Sequence, residues 1–242
     1  MAWQDAVIQY CERQDHGFWS EPVNAATNLA FLLAAAAAFR LWRRQARSDG
    51  FALALIVVTA AIGIGSFVFH TVATRGAVLL DVVPIAVFIH GYFFLALRRF
   101  FGLGLVAAGA ATGLFAAGGL ALGPDADRLH GSLAYLPALV ALAAFAGLLR
   151  QPRGAGAEQR DRRRAARGLA IAAGLFLVSL VFRTVDREIC PVLPVGTHFL
   201  WHLLNATVLW LLLRTVILAR ADALRRTASR AGAASAATVR IT

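Results

Sequence analysis

Residues 51–71 read FALALIVVTAAIGIGSFVFHT, a stretch without aspartate, glutamate, lysine or arginine. At about 1.5 Å of rise per residue such a run forms roughly 30 Å of helix, the thickness of a bilayer's hydrocarbon core. Comparable apolar runs lie at 22–42, 77–97, 100–122, 129–149, 167–184 and 196–218. The sixth is the weakest, because its apolar core before Arg183 is short. Only 15% of the residues are charged, against about 25% in an ordinary soluble domain, and the mean hydropathy is +0.67. The fold expected is all-α: an integral membrane bundle of seven transmembrane helices. An N-terminal segment (1–21) precedes the bundle (22–218), and a low-complexity Ala/Ser/Arg tail (219–242), expected to be mobile, follows it. The start of the chain lacks the basic stretch, apolar run and cleavage site of a secretory signal.

The charges orient this bundle. Arg40, Arg43, Arg44 and Arg47 follow the first span, Arg98 and Arg99 the third, and Arg220, Arg225, Arg226 and Arg230 the seventh. Seven arginines from Arg150 to Arg167 crowd the connection before the sixth, which reads as a cytoplasmic loop punctuated by Pro152, Gly154 and Gly156. The alternate connections carry Asp5, Glu12, Asp15 and Glu21, then Asp125 and Asp127, then Asp186 and Glu188. Arginine retained on the cytoplasmic side puts the N-terminus outside and the C-terminus inside. The net charge of +11 is thereby a topology signal touching anionic headgroups, and no nucleic-acid partner is expected. The 24 basic residues are all arginine, the usage of a GC-rich bacterial genome, so a bacterial cytoplasmic membrane is the expected location.

With that topology the costly residues share one depth. The second span runs outward and ends at Ser66 and His70, which are four apart and face one side of a helix. The third and seventh spans run inward, with Asp81 in the first turns of one and His198 and His202 in the first turns of the other. Ionisable groups inside a membrane mark functional sites by default. Three neutral imidazoles with an open fourth position are a catalytic zinc arrangement. No carboxylate separates His198 from His202, so Asp81 is the available base, with Ser66 beside it. Bis-histidine haem would leave Asp81 and Ser66 without a role, and a transporter would need discontinuous helices or repeats that the sequence lacks. His90 reads as a core histidine, about 13 Å deeper than Asp81; His16 and His130 read as solvated loop residues, and Asp186 as a partner of Arg183 or Arg187. Cys11 and Cys190 both fall on the outer side, where a disulfide persists, though free thiols stay open on spacing alone.

The order Ser-x-x-x-His (66–70), Leu79-Leu80-Asp81, Asp-x-x-x-Cys (186–190) and His-x-x-x-His (198–202) resembles the alkaline ceramidases and their wider superfamily of seven-helix membrane hydrolases, which includes the adiponectin receptors. Tyr10-Cys11-Glu12 and the stretch from Ser20 and Glu21 to Asn24 and Asn28 resemble the ceramidase opening, so the likeness runs from about residue 10 to 210. The resemblance implies zinc on His70, His198 and His202, with Asp81 and Ser66 beside it as catalytic residues. It implies a Cys11–Cys190 disulfide and the same orientation that the arginines give. It also implies a calcium site near the N-terminus: Glu12 and Glu21 match two ligands, Gln9 stands where an aspartate is expected, and Gln14 or Asp15 stands near an asparagine position. Calcium prefers anionic oxygens, and the alternative is that Glu12 and Glu21 cap the first span. The expected activity is zinc-dependent hydrolysis of the amide of a ceramide-like membrane lipid to a long-chain base and a fatty acid. Another lipid amide or ester, and a receptor-like protein whose zinc does not turn over substrate, are the alternatives.

Overall fold

The computed structural model describes residues 2–121, 128–153 and 156–239. Asp125, Asp127 and Gly154 lie outside the described residues. The chain is helical, with α1 (Pro22–Thr27), α2 (Leu29–Gln45), α3 (Gly50–Val72), α4 (Arg75–Phe101), α5 (Leu105–Ala121), α6 (Leu136–Arg150), α7 (Gly156–Ile189) and α8 (His198–Val239). Six helical segments are long and apolar enough to cross a membrane, α1 with α2 counting as one, and α5 is a shorter apolar helix. The chain is an integral membrane protein. Leu, Val and Ile side chains such as Val57, Ile64, Val83, Val106 and Val140 point outward, as a surface solvated by lipid requires.

Helix α8 packs against α2, α3, α4 and α7, while α3 pairs with α4 and α6 with α7. Phe31, Ile62, Phe88, Leu149, Leu169 and Leu213 form the apolar centre. The first span is broken at Asn28, whose backbone N–H closes on the carbonyls of Ala25 and Ala26 before α2 begins. Two predicted boundaries move. The loop expected at 150–167 is helix from Gly156 onward, because its arginines find partners. The Arg162 guanidinium donates to the Phe100 and Leu148 carbonyls that end α4 and α6, and Arg226 of α8 pairs with Asp161. Helix α8, likewise, continues past the predicted end at 218 to Val239.

Two contacts fix the end of the bundle that carries the histidines. Pro84 of α4 has no N–H to give the carbonyl of Leu80, four residues earlier. That carbonyl instead lies where a side chain on Gly65 of α3 would stand, so the two backbones touch one residue from Ser66 and Asp81. The N-terminal segment then crosses this end. Ala6 bridges to Thr74, Val7 donates to the Ala73 carbonyl at 2.8 Å, and a disulfide joins Cys11 to Cys190 with a Cα separation of 5.3 Å. Gly196, at φ +68°, lies so close to Cys11 and Asp186 that a Cβ there would clash with both.

Candidate metal centre

Helix α3 delivers His70 from its last turn, and α8 delivers His198 and His202 from its first two. All three are buried, and one ring nitrogen from each lies within 4.8 Å of the others. Ring centroids are 5.2 Å apart for His70 and His198, 4.8 Å for His70 and His202, and 4.6 Å for His198 and His202. Among the described residues this is the group of three or more His, Cys, Asp or Glu side chains that can hold a metal ion. Among the described residues the buried nitrogens His70 Nε2 and His198 Nδ1 have no hydrogen-bond partner, a cost in an apolar interior that a cation would relieve. The donor set therefore fits a divalent metal.

Each ring is held from outside the cluster, as metal-ligating histidines generally are. Nδ1 of His70 meets Glu21 Oε2 at 2.5 Å, and Nδ1 of His202 meets Thr27 Oγ1 at 2.9 Å. Tyr10 stacks on His198, with centroids 3.5 Å apart and planes 18° from parallel. The start of α8 is set by Asp186, whose Oδ1 accepts the backbone N–H of Thr197 at 2.7 Å and of His198 at 2.9 Å. Its Oδ2 accepts the N–H of Cys11 at 3.0 Å. Asp186 therefore does not pair with Arg183 or Arg187: its oxygens complete a helix N-terminus and anchor the N-terminal segment, where bare N–H groups need acceptors.

Asp81 lies beside Ser66, and both the Ser66 hydroxyl and His70 bear electrostatically on its carboxyl. The structure thus brings together Ser66, His70, Asp81, His198 and His202, all five residues expected at one depth. Residues implied for calcium are engaged elsewhere. Glu12 accepts the N–H groups of Val23 at 2.7 Å and Asn24 at 2.8 Å, capping α1. Gln14 Nε2 donates to the Cys11 carbonyl at 2.6 Å. Asp15, fully exposed, accepts the Gly17 N–H at 2.7 Å, which with the Ser20 hydroxyl holds its carboxyl below the usual range. Glu21 lies between His70 and the Arg13 Nε, 2.5 Å from each. Burial pushes the Glu21 carboxyl up, but these contacts outweigh it and hold it below the usual range. His90, read as a core histidine, is only half-buried, and its Nδ1 meets the Ala86 carbonyl of its own helix at 2.7 Å. His130, expected in solvent, instead meets the Thr184 carbonyl at 3.0 Å.

The Ceramidase family matches the chain over residues 3–234. The chain belongs to that family. Membership implies a membrane hydrolase acting on an amide bond in a lipid substrate. No curated protein matches the chain.

Several residues near the ceramidase centre carry no motif. Arg183, 7% exposed, donates to the Ser132 hydroxyl at 3.2 Å and lies 5.4 Å over the Tyr135 ring and 5.5 Å over Trp201. Burial drives the Tyr10 hydroxyl pKa well above the usual phenol range, against the pull of this guanidinium. An arginine inside a span was the available signal. Arg13 gave none, and Tyr10 and Thr27 stood only within the opening that resembles the ceramidases, because all three meet the histidines through the tertiary fold.

Proposed function

We propose that the chain is a zinc-dependent intramembrane hydrolase that cleaves the amide bond of a ceramide-like N-acyl lipid to a long-chain base and a fatty acid. The observation that carries this reading is the convergence of three buried imidazoles on one point, with Asp81 and Ser66 beside them. His70, His198 and His202 would hold the metal. When bound, zinc supplies Lewis acidity and lets water ionise near neutral pH. Asp81 takes the proton from the attacking water and returns it to the departing amine, as one group serving first as base and then as acid. The Ser66 hydroxyl donates to the carbonyl oxygen as negative charge develops there. The amide C–N bond breaks, the water oxygen stays on the acyl carbon, and the amine leaves with the proton.

An apolar cavity lined by Phe31, Ile62, Phe88, Phe145, Trp201 and Leu212 runs into the bundle. Phe31 also touches the His202 ring, with centroids 6.3 Å apart, so the cavity adjoins the metal centre and suits an acyl chain. The arginine pattern supports an N-terminus outside, a cytoplasmic C-terminus and a catalytic centre toward the outer leaflet.

The test is metal content and hydrolysis of a fluorescent ceramide and a panel of N-acyl lipids, on wild type beside His202→Ala. About one zinc per chain, with turnover and zinc lost together in the variant, is the expected result. Stoichiometric zinc without turnover on any lipid would refute the hydrolase, and absence of zinc would refute the centre.

A further inference from the structure

We propose that the Arg13 guanidinium is a built-in cation that holds His70 through Glu21 and fills the place a calcium ion would need, so that this chain works without calcium. Arg13 is 2% exposed although the six residues that follow it, 14–19, are all exposed. Its Nε meets Glu21 Oε1 at 2.5 Å. One terminal nitrogen donates to the carbonyls of Asp15 at 3.2 Å and Gly17 at 3.0 Å. The other donates to the carbonyl of His70 itself at 2.9 Å. Four oxygens, one a carboxylate and three backbone carbonyls, thus converge from the N-terminal segment and the end of α3. That donor set is what a hard cation recruits, and here a planar five-donor group already occupies it.

The other side chains implied for calcium make their contacts outside this cluster. Both oxygens of Glu12 accept helix N–H groups, the Gln14 side chain faces the Cys11 carbonyl, and the Asp15 side chain turns to Gly17. Gln9 adds no charge. The second oxygen of Glu21 accepts from Asn24 Nδ2 at 3.1 Å besides its contact with His70. Arg13 therefore grips His70 at two points, the ring through Glu21 and the backbone directly. It is a positioning residue and touches neither metal nor substrate.

The inference rests on the three-histidine metal reading, and its test separates the two. Wild type, Arg13→Ala and Arg13→Lys are loaded with zinc, and zinc release to a competing chelator is followed together with thermal unfolding. Wild type is expected to carry no calcium, and neither added millimolar calcium nor a calcium-selective chelator shifts its zinc release or its melting temperature. Arg13→Ala releases zinc about 10- to 100-fold more readily, the usual loss when a ligand's support is removed. Millimolar calcium or guanidinium ion entering the vacated oxygen cluster restores retention. Arg13→Lys, with one compact ammonium for four acceptors, falls between. Stoichiometric calcium on wild type would overturn the inference, as would zinc held equally tightly by folded Arg13→Ala, or failure of both cations to act on it. Should Arg13→Ala not fold, the wild-type calcium measurement and Arg13→Lys decide. Absence of zinc from wild type would instead overturn the proposed function.

Discussion

Replacing Asp186 tests whether the metal centre is built by the connection before α8. The side chain is fully buried and accepts three backbone N–H groups, those of Thr197, His198 and Cys11. Alanine leaves all three without a partner. At about 1–3 kcal/mol for each buried unsatisfied donor the loss sums to roughly 3–9 kcal/mol, a large share of a total stability of about 5–15 kcal/mol. Asparagine separates the contributions. Its carbonyl oxygen can take the place of Oδ1 and keep Thr197 and His198, which leaves its NH2 opposed to the Cys11 N–H. One lost acceptor predicts about 1–3 kcal/mol, or roughly 2–12 °C in melting temperature for a chain of this size. The ladder expected is wild type, then Asp186→Asn, then Asp186→Ala, read by thermal unfolding in one detergent, with zinc retained by Asn and lost by Ala. An alanine variant that melts within about 2 °C of wild type and keeps its zinc would refute the reasoning.

Asp81→Asn should retain zinc yet lose about 10²- to 10⁴-fold in amide hydrolysis, and Ser66→Ala about 10²- to 10³-fold, measured with metal content on the same preparations. Gly65→Ala should drive α3 from the Leu80 carbonyl and part Ser66 from Asp81, whereas Gly113→Ala, with open space around it, should leave activity and melting unchanged. Changing Cys11 and Cys190 to serine opens a cross-link between residues 179 apart and should cost about 2–4 kcal/mol, visible as a lower melting temperature that reductant reproduces in wild type.

The spans were legible because length and hydropathy are local properties, and α3, predicted at 51–71, extends over Gly50–Val72. The histidine cluster was legible because two pairs four residues apart are expected at matching depths once the arginines orient the spans. Their supports were not. Glu21 reaches His70 across 49 positions and Thr27 reaches His202 across 175, and no periodicity encodes such contacts. Glu21 was visible only as an acidic residue before a helix, which reads equally as a cap or a cation ligand. The helical start of α7 was hidden for a related reason: glycine, proline and seven arginines look like a loop until the carbonyl ends of α4 and α6 appear beside Arg162.

The least helical part of the chain therefore does the orienting. Tyr10 lies on His198, Cys11 is tied to Asp186 and Cys190, and Arg13 with Glu21 grips His70. The helices supply the histidines, and their main apolar centre around α8 involves none of these four N-terminal residues; Tyr10 alone packs with Phe69 of α3 and Ala77 of α4 in a smaller cluster. Fold and metal affinity should then separate. Deletion of residues 2–13 removes the stacked ring, the disulfide and the guanidinium while leaving every span intact. Helix content by circular dichroism is expected to stay near that of wild type, while zinc release to a chelator accelerates by at least the 10- to 100-fold typical of a lost supporting group. Zinc retained as in wild type by the shortened chain would mean that α3 and α8 position the histidines unaided. Loss of helix in step with zinc would mean that the N-terminal segment belongs to the folding core instead.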